Sequence, residues 1–101
     1  MPEHVKVTHL PAAVRDLEEI LDYVRRDSLE RAEKLLDKIE AEIARLARFP
    51  QLGVMPKGPY LASKGYRVLI IENYLVFYVA AKRTIRIRRV IHGARRCEFL
   101  L

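Results

Sequence analysis

Apolar positions recur along this chain at two different periods, and the switch between them divides it in two. Val5 to His9 alternates over a few residues and reads as a first strand. Pro11 suits the first turn of a helix, where its missing N–H has no partner to lose. Val14, Leu17, Leu21 and Val24 then repeat at spacings of three and four, joined by Ala13 and Ile20, and predict a helix running to about Arg26. Asp16, Glu18, Glu19 and Asp22 fall on its other side. Asp27-Ser28 interrupts the pattern, and Ser28 is a natural N-cap for a second helix. That helix carries Ala32, Leu35, Leu36, Ile39, Ile43 and Leu46 on one stripe and charged residues opposite, and Phe49-Pro50 ends it. So short a connection forces an antiparallel hairpin whose apolar stripe needs a flat partner.

That partner follows. Gln51 to Gly65 holds three glycines and two prolines and reads as a loop. The period then falls to two. Tyr66 to Ile71 and Tyr74 to Val79 are aromatic and β-branched strands joined by a tight turn at Asn73. Lys82-Arg83 marks another turn. Thr84 to His92 is a last strand, with Ile85, Ile87 and Ile91 on one face and Arg86, Arg88, Val90 and His92 on the other. Arg89 shares parity with the isoleucines, which predicts either a partly buried arginine with a carboxylate partner or a bulge that changes the register. The expected fold is therefore α+β: an N-terminal strand, then a helical hairpin packed on an antiparallel sheet, in the order β-α-α-β-β-β, as one domain over residues 1–101.

Charge changes this picture more than composition does. The chain carries +6, but residues 1–50 sum to −2 and residues 51–101 to +8. A basic half on a small domain points to an anionic partner, a nucleic acid or an acidic protein segment; a plainly solvated surface is the alternative. A single cysteine, Cys97, excludes an intrachain disulfide, and no apolar run is long enough to span a bilayer, so a cytoplasmic protein without membrane contact is expected. There is no glycine-rich phosphate loop and no His or Cys pair at metal spacing, so neither cofactor nor metal is expected.

The residues left to carry chemistry are basic. Arg67 lies on the first strand of the sheet's C-terminal part, Arg86, Arg88 and Arg89 on its last strand, and His92, Arg95 and Arg96 at that strand's end. Arginine's planar fork matches phosphate or carboxylate oxygens, so Arg86, Arg88 and Arg96 are candidates for binding a target or a nucleic acid. Tyr66, Tyr74 and Tyr78 share even numbering and would either offer bases a stacking surface or pack under the helices.

Four segments resemble the RelE/ParE toxin superfamily. They are Ala13-Val14-Arg15-Asp16-Leu17-Glu18-Glu19-Ile20, Leu46-Ala47-Arg48-Phe49-Pro50-Gln51-Leu52-Gly53, Asn73-Tyr74-Leu75-Val76-Phe77-Tyr78 and Arg89-Val90-Ile91-His92-Gly93-Ala94-Arg95. The resemblance implies a toxin of a type II toxin–antitoxin system, made with a smaller cognate antitoxin that wraps it and masks its basic surface in a hetero-oligomer. It also implies one of two targets. RelE-like members cut messenger RNA on the ribosome without a metal, using cations on the strands and an arginine just past the last one. By that pattern Arg67, His92 and Arg95 are the catalytic candidates, while Leu69 and Leu75 stand where further cations would be. ParE-like members inhibit DNA gyrase and need no nuclease residues. The two leucines favour the ParE-like branch; an RNA-cleaving toxin and a diverged basic binding module are the alternatives.

Overall fold

The computed structural model describes residues 5–93. Its elements are β1 (Lys6–His9), α1 (Pro11–Asp27), α2 (Leu29–Leu46), α3 (Pro59–Ser63), β2 (Tyr66–Ile71), β3 (Tyr74–Ala81) and β4 (Thr84–His92). Pro11 occupies the first turn of α1. A single residue, Ser28, joins the two long helices. Its amide donates to Val24 O at the end of α1, and its Oγ accepts from the Arg31 amide at 3.2 Å to open α2. Because Ser28 is extended (φ −162°, ψ 118°), the chain reverses there and forms the expected hairpin.

The sheet runs β1-β4-β3-β2. β2, β3 and β4 are the antiparallel meander that the alternation foretold. β1 pairs with β4 in parallel, Lys6 opposite Thr84 and His9 opposite Ile87, so the sheet is mixed rather than wholly antiparallel. A parallel pair needs a long crossover, and the intervening helices supply it. The segment 51–65 is likewise not all loop: Pro59 starts the short α3, which drops Leu61 onto the sheet.

The hairpin covers one sheet face. Ala13, Leu35, Ile39, Ile43 and Leu46 meet Leu69, Ile71, Val76, Tyr78, Ile85, Ile87 and Val90. Each large side chain buried there contributes roughly 1.5–3 kcal/mol. The opposite face holds a second apolar cluster of Leu61, Tyr66, Val68, Phe77 and Ile91. Two assignments differ from the simple alternation. Phe77 pairs with Arg89 and Tyr78 with Ile87, which leaves Arg88 as an extra residue in β4. This bulge turns Val90 into the hairpin-facing core and Ile91 out to the second cluster. The two-residue turn between β2 and β3 pairs Tyr66 with Val79, so Tyr66 lies on the opposite face from Tyr74 and Tyr78.

Asp16 turns inward instead of joining the solvated acids of α1. Pairing of β1 with β4 stops at Ile87, and beyond it the Asp16 carboxylate serves the vacant β4 edge. It accepts from the Val90 amide at 3.0 Å and from Arg89 Nε and Nη2 at 2.7 and 3.0 Å. With side-chain exposures of 23% for Arg89 and 15% for Asp16, the pair is shielded, and the bond to Asp16 holds Arg89 above arginine's ordinary pKa. Both expectations for Arg89, a carboxylate partner and a bulge, are met together. Asp16→Asn should lower unfolding free energy by about 2 kcal/mol, because it sets an NH2 group against guanidinium donors. Chemical denaturation measures it, with the exposed Glu18→Gln as control; a loss no larger than the control's would contradict the role.

Candidate functional site

Arg67 is the first candidate cation, and its position follows from β2. It sits opposite Tyr78 in the ladder. Its Nη1 donates to Gly53 O at 2.8 Å. Tyr78 Oη donates to Pro50 O at 2.9 Å and accepts from the Gly53 amide at 2.8 Å. Neighbouring side chains on two strands thus hold both polar ends of Gly53, together with Pro50. Gly53 has no room for a side chain: an added Cβ would lie 2.7 Å from Tyr78 Cε1 and Oη and 2.8 Å from Val68 O. Just beyond, Val54 and Val68 exchange two backbone bonds, closing part of the outer edge of β2. Two of the segments that carry the resemblance, 46–53 and 73–78, are therefore one stapled unit.

The other catalytic candidates lie elsewhere. His92 packs edge-on against Tyr74, ring centroids 5.6 Å apart. Arg67 pairs with Tyr78 on β3, while His92 on β4 pairs with Tyr74. Four residues along the strands and two strand spacings put Arg67 and His92 about 16 Å apart. Leu69 is 6% exposed in the hairpin-facing core, and Leu75 packs on the second cluster of the opposite face. Positions 69 and 75 thus do not even share a side of the sheet. Arg95 and Arg96 lie outside the described residues, as does Cys97.

A different cluster gathers on the face away from the hairpin. Arg86 is exposed, and the Arg88 guanidinium lies over the Tyr66 ring at 5.6 Å. Lys64, just after α3, lies over the exposed Tyr60 ring at 5.6 Å. With Val79 and Ala81 these residues line a groove of about 350 Å³. Sequence reasoning found Arg86 and Arg88 but missed Tyr60 and Lys64, which sit in what read as loop. The signal available was the cation–aromatic spacing Tyr60/Lys64, one helical turn apart.

Among the described residues no group of three or more His, Cys, Asp or Glu side chains is placed to hold a metal ion, and no helix is long and apolar enough to cross a membrane. Residues 7–97 match the family model described as ParE toxin of type II toxin-antitoxin system, parDE. The chain belongs to the ParE toxin family. No curated protein matches. Among solved structures, the ParE family member is similar to a chain of the chromosomal ParDE toxin–antitoxin system from P. aeruginosa, with a TM-score of 0.73 and 22% identity over 88% of this chain and 96% of that one. It also resembles a chain of the RelBE2 toxin–antitoxin complex from Mycobacterium tuberculosis, with a TM-score of 0.58 and 22% identity over 91% and 94%. At such identity the likeness is one of fold.

The stapled loop makes a testable claim about this ParE-family fold. Gly53→Ala should cost about 1–3 kcal/mol by overpacking, and Tyr78→Phe a similar amount by orphaning Pro50 O and the Gly53 amide. Burial pushes the Tyr78 hydroxyl above its ordinary 10.0, against the opposing pull of the Gly53 amide and the Arg67 charge. The folded protein therefore holds this proton more tightly than the unfolded chain does. Its contribution is complete below pH 10.0 and is lost as pH rises through the folded value. Unfolding measured across that range should show a fall in wild type that is shallower in Tyr78→Phe; identical profiles would contradict the buried, neutral hydroxyl.

Proposed function

We propose that this ParE-type toxin acts without nuclease chemistry, by inhibiting DNA gyrase, and that a cognate antitoxin neutralises it. The observation that carries this reading is that, among the described residues, the candidate nuclease groups Arg67 and His92 do not converge. Metal-free RNA cleavage needs a base at the 2′-hydroxyl, cations at the phosphate and an acid at the leaving group, all within reach of one phosphodiester. Here Arg67 is bonded to Gly53 O, His92 lies about 16 Å from it, and apolar side chains hold positions 69 and 75. A missing transition-state cation typically costs ~10²–10³-fold in rate.

Support for an antitoxin comes from the hairpin. Val7, Leu17, Leu36, Ile39, Ile43 and Ala44 line an apolar groove of about 410 Å³ beside the β1 edge. An amphipathic antitoxin segment would cover it, and its acidic residues would meet the basic C-terminal half. The working protein would then sit in a toxin–antitoxin hetero-oligomer.

Added to a gyrase supercoiling assay, the purified chain should inhibit the reaction or trap cleaved DNA. Primer extension on translated messages after induction should show no new 5′ ends. New ends without gyrase inhibition would overturn the reading in favour of a ribosome-dependent endoribonuclease. Absence of both, with no slowing of growth, would leave a diverged binding module. For the antitoxin, Ala44→Glu at the exposed rim of the apolar groove should reduce co-purification with the neighbouring gene product after joint expression; undiminished recovery would place the antitoxin elsewhere.

A further inference from the structure

The groove between α3 and the sheet face away from the hairpin has the chemistry of a nucleic-acid site, which goes beyond the gyrase reading and is separate from the apolar groove offered to the antitoxin. Tyr66, Val79 and Arg86 are successive cross-strand partners and form a row across β2, β3 and β4. The Arg88 guanidinium lies over Tyr66, and on the α3 side the Lys64 ammonium lies over Tyr60, each 5.6 Å from the ring centroid. Cations therefore stand on both walls of a groove of about 350 Å³, and no acidic residue is among its described lining. Among the described residues, no carboxylate pairs with Lys64, Arg86 or Arg88. A guanidinium held beside a ring by a cation–π contact still has N–H donors to offer a phosphate. Tyr60 is 63% exposed despite its size, and Lys64 covers one side of its ring. A large aromatic left in water beside three cations offers a base a surface on which to stack.

We propose that this groove binds single-stranded nucleic acid, with Lys64, Arg86 and Arg88 on successive phosphates and Tyr60 stacking on a base. A single strand fits because the site is concave, with an apolar floor at Val79; a duplex presents its phosphates on a convex surface too broad to enter. An acidic peptide would satisfy the cations but leave the Tyr60 ring unused. The site is also distinct from the positions at which the superfamily's nucleases would carry cations. Leu75 pairs with Ile91 near the opposite end of β3 from Val79 and Arg86.

Fluorescence anisotropy of a labelled oligothymidine with the purified full-length chain tests this without gyrase, so its failure would leave the gyrase reading standing. Affinity should fall with salt at a log–log slope of about −2, near −0.7 for each of three phosphates. R86Q combined with R88Q should flatten that slope to about −0.7. Tyr60→Ala should weaken binding roughly tenfold with the slope unchanged, an effect that loss of charge alone does not give. Arg26→Gln combined with Arg31→Gln removes equal charge from exposed helix positions and should have little effect. Thermal melts check that each variant is folded. Equal loss in the helix control, equal competition by a duplex of the same length, or displacement by polyglutamate where oligothymidine fails would each overturn the proposal. The first would reveal diffuse charge, the second a duplex site and the third a peptide site.

Discussion

The Tyr78 hydroxyl is the point at which the two halves of this protein are tied together. It comes from the central strand of the meander and reaches the segment that ends the helical hairpin. There it donates to Pro50 O and accepts from the Gly53 amide. Three things are coupled to that contact. Gly53 must lack a side chain, Val54 is set to pair with the edge of β2, and Arg67 is drawn to Gly53 O. A buried hydroxyl with neither partner would be costly, so loop and strand position each other. The second tie, Asp16 to β4, does the same at the far edge, where the β1 ladder runs out.

These ties bear on which of the sheet's cations are free to meet a ligand. The sheet presents cations wherever its side chains leave the core, but which of them can act on a phosphate depends on what else holds them. Arg67 was a catalytic candidate by position, and its Nη1 donates to Gly53 O. Leu69 and Leu75 pack into the apolar clusters on the two opposite faces. The outward-facing cations Arg86 and Arg88 lie at the other end of the sheet with Lys64, in a groove whose described lining holds no carboxylate or histidine.

Much of the architecture was legible in the sequence. The 3.6-residue period marked both helices, Pro11 and Ser28 marked their starts, and aromatic and β-branched runs marked the three C-terminal strands. What was hidden depended on long-range pairing. Nothing local to Lys6–His9 names β4 as its partner. The bulge at Arg88 exchanges Val90 and Ile91 between faces, and the two-residue turn at Glu72-Asn73 moves Tyr66 away from Tyr78, so counting odd and even positions failed there. The glutamate of that turn, not the asparagine, takes the positive φ of 54°. The site was legible as residue types only. Arg67 could be named from its strand, but its acceptor lies fourteen residues upstream in a loop, and Tyr60 and Lys64 were concealed by the prolines and glycines around α3.

On the proposed function, Arg67 belongs to the scaffold of this ParE-type toxin and not to a reaction centre. The most direct measurement is Arg67→Met, scored for unfolding free energy and for gyrase inhibition per folded molecule. Unfolding free energy should fall by about 1–3 kcal/mol with inhibition retained, because a bond from a charged donor to Gly53 O disappears while the target surface stays intact. Unchanged stability together with abolished toxicity and abolished cleavage of translated messages would contradict it.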